Sequence, residues 1–577
     1  MSEASLAGAD TGGPESPSAE RVHRHARSKA HRAPGGLTTI VVWVVASVAI
    51  VVGVAMRAWF LFHQPVNADE SIVGLMARQI LHGHFSAFYW GQSYGGGEPY
   101  LVALLFGVFG TSAWALKAAS IIFAAGAALL TWRIVRQLVA DPALAVLAGA
   151  AVWAFPKSYV FTSTLEYGFR GLTMVCGLGL VLLALKIQRG DHRLSVFAGL
   201  GLVAGVGWWS SPEIVYFGVP AGLLVLWALV GDPELDRARR WWKYAVVAGA
   251  AAVVGSLPWL WANAHSRLDS LRPGAFVVPP GSPGYFGRLK IFFQYSLPMV
   301  LNLRNQGTGA WLWGPTTSLV VLVLLLLVLA VALVLCAVRG GRSLILALGV
   351  VLFPFLVALS PATWFWQDGR YDNFFVPMAV IVVVVGCAEA ARRLAGARRS
   401  DRRAVSLGRL LASGLFAFAI ATSIANFANF VTPLGNFFAG WTNPNGPTLH
   451  AITTLEANGV DDGYADYWVA YRLDLLSLGR LQLTTAGSDP DRWQSLDTQV
   501  NHSPKTSWLF VPVTTAGVTQ FAETTAIQGP GGLTQAQFLA DLTRLGISYR
   551  VVDTGLIKAV IPDRAVTPSQ IGLTRTG

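Results

Sequence analysis

Residues 65–100 read PVNADESIVGLMARQILHGHFSAFYWGQSYGGGEPY, and the rest of the chain is organised around them. They follow the apolar run Thr39–Phe62, about 24 residues long and enough to cross a bilayer. The stretch therefore meets water where the chain leaves the membrane. Asp69 and Glu70 open it, and Ser71–Leu81 has the spacing of a short amphipathic helix. Ile72, Leu75, Met76 and Ile80 form its apolar stripe, with Arg78 and Gln79 off that face. Such a helix is expected to lie along the membrane surface. His82 and His84 lead into the aromatics Phe85, Phe88, Tyr89 and Trp90, then Tyr94-Gly95-Gly96-Gly97-Glu98-Pro99. Three consecutive glycines let backbone approach a ligand closely, and Glu98-Pro99 ends the turn. Two separated carboxylates with aromatics and a glycine turn between them fit a site for a polar, ring-shaped molecule. An aromatic interfacial loop in which Asp69 caps the short helix fits equally well.

Working outward, composition fixes the class. Of 577 residues, 53% are hydrophobic and 13% charged, which excludes an ordinary soluble enzyme and reads as a polytopic, mostly α-helical membrane protein. The net charge of +12 does not make it a nucleic-acid binder, because the basic residues fall mostly in short loops between apolar segments. Cys176, Cys336 and Cys387 all lie in apolar runs, so neither a disulfide framework nor a cysteine metal cluster is expected.

Residues 1–36 are polar, basic and without apolar period, and read as a disordered cytoplasmic tail. Residues 37–430 read as a membrane domain of about eleven spans, with a first outer loop over 63–111 and a long outer loop over 264–315. After the first span come Ser112–Trp132, Ala143–Val160, Phe169–Leu185, Ser195–Trp209, Ile214–Val230, Tyr244–Asn263, Ser318–Val338, Ser343–Leu359, Asn373–Ala391 and Leu407–Phe430. Charge decides the register. If the apolar but short Tyr100–Gly110 is juxtamembrane, the basic loops Arg133–Pro142, Lys186–Leu194, Gly231–Lys243, Arg339/Arg342 and ARRLAGARRSDRR all fall inside. The chain is thus expected in the plasma (inner) membrane, N-terminus cytoplasmic. Residues 431–577 turn to the composition of a soluble α/β domain outside the membrane. Its expected helices are His450–Asn458, Arg472–Leu478 and Gln535–Gly546. Its expected strands are Gly463–Trp468, Leu481–Thr485 and Trp508–Val513, with a hairpin of Tyr549–Asp553 and Leu556–Ile561. It holds no GxGxxG, P-loop or nucleophile elbow.

In this register Asp69, Glu70, Tyr94, Glu98, Glu166, Arg170, Glu213, Asp368, Arg370 and Tyr371 collect on the outer side. Each has a plainer reading. Glu166 and Arg170 are four apart and can pair along one helix face. Pro212-Glu213 makes a tight turn. The aromatics of WFWQDGRY (364–371) anchor at an interface, although anchoring leaves Asp368-Gly369-Arg370 unexplained. An arginine beside aromatics at headgroup depth suits a phosphate.

The ordered set of these motifs resembles the polytopic C-type glycosyltransferase superfamily. It comprises Asp69-Glu70 after the first span, a surface helix ending His82-Gly83-His84, Glu98-Pro99, Phe109-Gly110-Thr111-Ser112, and a late Gly369-Arg370-Tyr371 with Pro377. The resemblance covers Thr39–Ala391 and lies with the aminoarabinose transferase and protein O-mannosyltransferase branches. It implies a polyprenyl-phosphate sugar as donor, Asp69 as base with Glu70 the adjacent rival, and Glu98 and Glu166 as substrate-site acids. It also implies that Arg370 and Tyr371 contact the carrier phosphate. Tyr94, Arg170, Glu213 and Asp368 join as substrate-binding candidates from their side of the membrane. A divalent metal (Mg or Mn) is left open. The chain departs from the pattern in having no lysine before Pro99 and in carrying Glu166 where many members have aspartate. The acceptor (lipid, glycan or protein) is therefore not carried over. The competing classes are a transporter or lipid-linked sugar flippase, and a scaffold. Transporters place ionisable groups near mid-bilayer, whereas these spans are nearly charge-free in their middles.

Overall fold

The computed structural model describes residues 36–231, 241–271, 281–396, 402–432, 442–512 and 529–573. Seven helices among them are long and apolar enough to cross a bilayer: Gly36–His63, Ala113–Leu138, Arg170–Gln188, Pro212–Gly231, Pro315–Arg339, Phe375–Leu394 and Arg402–Val431. Trp241–Gly255 and Leu257–His265 make an eighth if taken as one span, bent by 62°. Three further segments expected to span are shorter apolar helices: Pro142–Ala154, Leu194–Ser210 and Gly341–Val357. The expected span Ala143–Val160 is interrupted. Pro156 has no N–H to give and pushes Phe155 out of helical geometry, so the first helix stops at Ala154 and a new one runs Lys157–Thr162.

Burial explains why these helices need lipid. On Pro315–Arg339 the side chains of Val320, Leu324, Leu327, Val331 and Val338 stand exposed along one face, an arrangement stable only against hydrocarbon. Helices approach each other through small residues. A β-carbon at Gly201 or Gly205 would lie 1.9 or 2.1 Å from the carbonyl oxygens of Ala248 and Ala252, so Leu194–Ser210 meets Trp241–Gly255 backbone to backbone.

The C-terminal domain carries a five-stranded sheet: β1 Asp462–Tyr464, β2 Gln482–Thr484, β3 Ser507–Phe510, β4 Tyr549–Asp553 and β5 Lys558–Pro562. Its order is β2-β1-β3-β5-β4, with β1 parallel to both neighbours and β5 antiparallel to both of its own. Alternating residues feed two cores. Leu509 and Ile561 pack on Leu455 and Leu473, while Trp508, Phe510 and Val560 pack on Phe538 and Leu542. β1 ends earlier than expected because Asp466 caps a helix, accepting from Trp468 N at 2.8 Å. That helix, Tyr467–Leu476, begins before the expected Arg472, and Gln494–Asn501 is a helix the sequence reading did not name.

The domain docks on the first loop. The stripe Ile72, Leu75, Met76 of helix Ala68–Leu81 is buried with Val102 and Phe106 on one side and Tyr471 and Leu475 on the other. The amphipathic face expected to rest on lipid is thus covered by protein. Gly74 permits the contact, since a β-carbon there would lie 2.8 Å from the Leu475 side chain.

Candidate active site

The first turn of helix Ala68–Leu81 sets the geometry. Asn67, not Asp69, is its cap: the Asn67 side chain accepts from Glu70 N at 2.9 Å, and Glu70 Oε2 accepts from Asn67 N at 3.1 Å. This reciprocal capping box fixes the turn, and consecutive side chains then diverge by about 100°. Glu70 points inward and is fully buried. Its Oε1 accepts from Lys117 Nζ at 2.7 Å and from Glu166 N at 3.2 Å. A buried ammonium with one carboxylate counter-charge is a structural pair, since either partner alone would be strongly destabilising. Full burial, with a partner on each oxygen, keeps Glu70 away from a substrate.

Asp69 points the other way. Its Oδ2 faces Arg370 Nη1 at 3.3 Å, its Oδ1 accepts from Tyr467 Oη at 2.6 Å, and its carbonyl accepts from Tyr89 Oη at 3.1 Å. The carboxylate keeps 22% of its surface exposed and Arg370 keeps 18%, so this pair is open where Glu70–Lys117 is shut. Arg370 follows Gly369, whose φ of 67° is the left-handed conformation that a side chain would strain, which accounts for the Asp368-Gly369-Arg370 sequence. The Arg370 guanidinium lies 4.6 Å from the Tyr167 ring and 5.4 Å from the Tyr371 ring. Arg170 faces the same Tyr371 ring at 4.4 Å and Phe169 at 4.4 Å. Two arginines are thereby held close together by aromatics, with Asp69 on one and Glu213 Oε2, 3.7 Å from Arg170 Nε, on the other.

Glu98 and Glu166 form a buried carboxyl pair behind these cations. Glu98 Oε1 accepts from Leu172 N at 2.7 Å. Glu166 accepts from Ser120 Oγ at 2.6 Å and from Gly168 N at 3.1 Å. Burial, followed by the charge of Glu98 and a hydrogen bond to it, raises the Glu166 carboxyl well above its ordinary range. Glu166 lies in the turn before helix Arg170–Gln188, not on it, so the expected four-apart pairing with Arg170 is not made. A small cavity is lined by Glu98, Ser120, Tyr159, Tyr167, Arg170 and Arg370 among others.

The remaining candidates divide. Tyr94 packs edge-on against Phe169 at 5.0 Å, and burial pushes its phenol up to about 12 with the Arg170 charge opposing. The glycines beside it serve the loop's own packing: a β-carbon at Gly96 would lie 2.6 Å from Ala87 O. The Asp368 side chain lies outside the described residues. Among the described residues no three His, Cys, Asp or Glu side chains converge as a metal-binding set.

Several residues of the arrangement escaped the sequence reading. Lys117 was visible as the lone charge in the apolar run AWALKAASIIFAAG, and a charge in a span demands a partner. Tyr167 and Asp372 carry no local pattern. Neither oxygen of the buried Asp372 has a well-formed hydrogen bond. Burial pushes its carboxyl up to about 7, opposed by the Ser296 hydroxyl and reinforced by the charge of Glu213.

Comparison with known proteins bears on the fold. Residues 97–261 match the dolichyl-phosphate-mannose-protein mannosyltransferase family. Among solved structures the chain is similar to ArnT from Cupriavidus metallidurans bound to undecaprenyl phosphate, at 13% identity and a TM-score of 0.50, covering 90% of this chain and 97% of that one. The apo state of ArnT is similar at 15% identity and a TM-score of 0.50, covering 92% and 99%. The Archaeoglobus fulgidus oligosaccharyltransferase gives a TM-score of 0.45 at 13% identity, over 81% of this chain and 69% of that one. No curated protein sequence matches. The fold is that of the membrane-embedded C-type glycosyltransferases, as the ordered motifs imply.

Proposed function

We propose that the chain transfers a sugar from a polyprenyl-phosphate carrier to an acceptor hydroxyl at the membrane face bearing the C-terminal domain, with Asp69 as general base. The observation that carries this reading is the open Asp69–Arg370 pair at 3.3 Å beside the cavity of Glu98, Tyr167 and Arg170. The undecaprenyl phosphate bound to the similar ArnT supports the donor class.

The chemistry needs little else. A sugar–phosphate bond already has a good leaving group, so no acid has to protonate it. The acceptor oxygen attacks the anomeric carbon, the carbon–oxygen bond to phosphate breaks, and the acceptor proton passes to Asp69. The polyprenyl phosphate departs with its charge held by Arg370 and Arg170, whose planar forks suit phosphate oxygens. Single displacement of this kind inverts the anomeric centre. Glu98, Glu213, Tyr94 and Tyr371 shape the sugar and phosphate subsites around these groups.

Orientation follows from charge. Arg339 and Arg342, which donate to Leu138 O and Gln188 Oε1, lie with Arg392 and Arg409 at the end of the bundle away from the C-terminal domain. Basic residues gathered at one end support a cytoplasmic position for that end and an outer position for the site.

The test is incubation of purified protein with a panel of undecaprenyl-phosphate-linked hexoses and pentoses. Release or transfer of sugar from one of them, lost in Asp69→Asn, is the expected result. Transport of those lipids across a vesicle bilayer without any sugar release would replace this reading with a flippase.

A further inference from the structure

The C-terminal domain reaches the base itself. Tyr467 is the first residue of helix Tyr467–Leu476, directly after the cap Asp466, and only 7% of it is exposed. Its ring packs edge-on against Trp468 at 5.3 Å and Tyr471 at 5.5 Å, within the core shared with Ile72 and Leu75. Its hydroxyl stands 2.6 Å from Asp69 Oδ1. A second residue of the domain, Arg492, donates from Nη1 to Gly91 O at 3.0 Å and faces the rings of Tyr89 and Tyr467 at 5.9 Å each. Tyr89 in turn donates to the Asp69 carbonyl. The domain thus bonds the Asp69 side chain directly and faces the tyrosine that bonds its main chain.

We infer that Tyr467 is a positioning residue for the transfer reaction, fixing the plane of the Asp69 carboxylate so that its free lone pairs face the acceptor proton. The inference rests on the reading of Asp69 as base. The alternative, a placeholder that swings aside when the acceptor arrives, requires a ring free to leave, and this ring is locked between two aromatics in a closed core. Donation from Tyr467 also leaves room for the acceptor, because each carboxylate oxygen carries two lone pairs. Without the hydroxyl, the Arg370 contact at 3.3 Å is the one hydrogen bond left to the carboxylate among the described residues.

The experiment is Tyr467→Phe, which keeps the ring and therefore the packing. Tyr471→Phe is the control: its hydroxyl accepts from Arg492 N at 2.7 Å in the same interface but does not touch Asp69. With the undecaprenyl-phosphate sugar that turns over, Tyr467→Phe is expected to lower kcat about tenfold with donor KM unchanged. Tyr471→Phe should leave kcat unchanged. A readout without substrate is the infrared carboxylate band that disappears in Asp69→Asn. That band should shift in frequency in Tyr467→Phe, where the hydrogen bond is lost, and stay in place in Tyr471→Phe. An unmoved band or an unchanged kcat in Tyr467→Phe, beside an inactive Asp69→Asn, overturns the positioning role and leaves the base in place. An active Asp69→Asn instead overturns the base, and this inference with it.

Discussion

Two acid–arginine pairs mark opposite ends of the helical bundle, and they are built differently. At the end away from the C-terminal domain, Arg409 grips Asp141 with both arms of its fork, at 2.7 and 2.9 Å. The third nitrogen donates to Thr39 Oγ1 at 2.7 Å, and Asp141 also caps helix Pro142–Ala154 by accepting from Ala143 N at 3.0 Å. All three guanidinium nitrogens and both carboxylate oxygens have a partner, and both side chains are buried. At the other end Arg370 meets Asp69 through one contact at 3.3 Å, and both remain partly open. The residue types are the same. What separates a lock from a reactive site is how many lone pairs and N–H groups are already taken, and how much of the two side chains stays exposed.

That contrast predicts opposite failures. Asp69→Asn keeps an oxygen for Tyr467 and the size of the side chain, so the melting temperature should hardly move. Transfer should fall by about 10²–10⁴, because an amide cannot take the proton. Comparable turnover by folded, donor-binding Asp69→Asn would erase the distinction between the two pairs. Asp141→Ala should do the reverse. It strands a buried guanidinium, with an expected loss of about 3–5 kcal/mol in stability and unchanged turnover per folded molecule. Denaturant titration in detergent measures the first and active-site-normalised rates the second; an unaltered midpoint would show that the pair is no lock.

A subtler break concerns the cation. Arg370→Lys keeps the charge but loses the planar fork set between Tyr167 and Asp69. Donor affinity should drop about tenfold, read as binding of the undecaprenyl-phosphate sugar. Full affinity in Arg370→Ala would move the phosphate to Arg170.

How far the sequence carried these assignments depends on whether the deciding interaction is local. Hydrophobic runs, basic loops and the terminal hairpin are local, and the hairpin strand Tyr549–Asp553 has the expected bounds. Pro156 splitting a span is also local, and the apolar length hid it. The choice between Asp69 and Glu70 was not readable, because it turns on Asn67 as cap and on Lys117, 47 positions downstream of Glu70. Tyr467 lies 398 positions from Asp69, and no periodicity links residues that far apart. The apolar stripe of Ala68–Leu81 was visible, but a stripe looks alike whether lipid or Leu475 covers it.

Asp372 sharpens the comparison through pH. Its folded-state carboxyl is raised from 3.8 to about 7, so the folded protein binds this proton more tightly than the unfolded chain. The stability it contributes is full below pH about 4 and is lost as pH rises through about 7. Asp372→Asn should flatten that part of the stability–pH curve and leave the protein more stable than the original above pH 7. An identical curve for both proteins would show that Asp372 keeps its charge in the fold.

The smallest effect is expected at Glu166, and it separates charge from hydrogen bonding inside the site. Glu166 is raised well above the ordinary carboxylate range by burial first and by Glu98 second, and it shares a hydrogen bond with Glu98. Glutamine supplies an N–H donor and a carbonyl acceptor in nearly the same place. Glu166→Gln should therefore keep transfer within about twofold at pH 7, since little changes for Glu98 or Ser120. The sign of the linkage adds a second readout. A carboxyl raised in the fold stabilises below its unfolded value and loses that contribution as pH climbs through the raised one. The glutamine variant should lack this alkaline decline. Glu166→Ala removes the bonds to Glu98, Ser120 and Gly168 N in a buried setting, leaving Glu98 with Leu172 N and Ser120 with Leu165 O, at a cost of about 1–3 kcal/mol. If Glu166→Gln proves as damaging to transfer as Glu166→Ala, the carboxylate charge itself is used. Glu166 would then join Asp69 among the open, reactive acids instead of the satisfied ones.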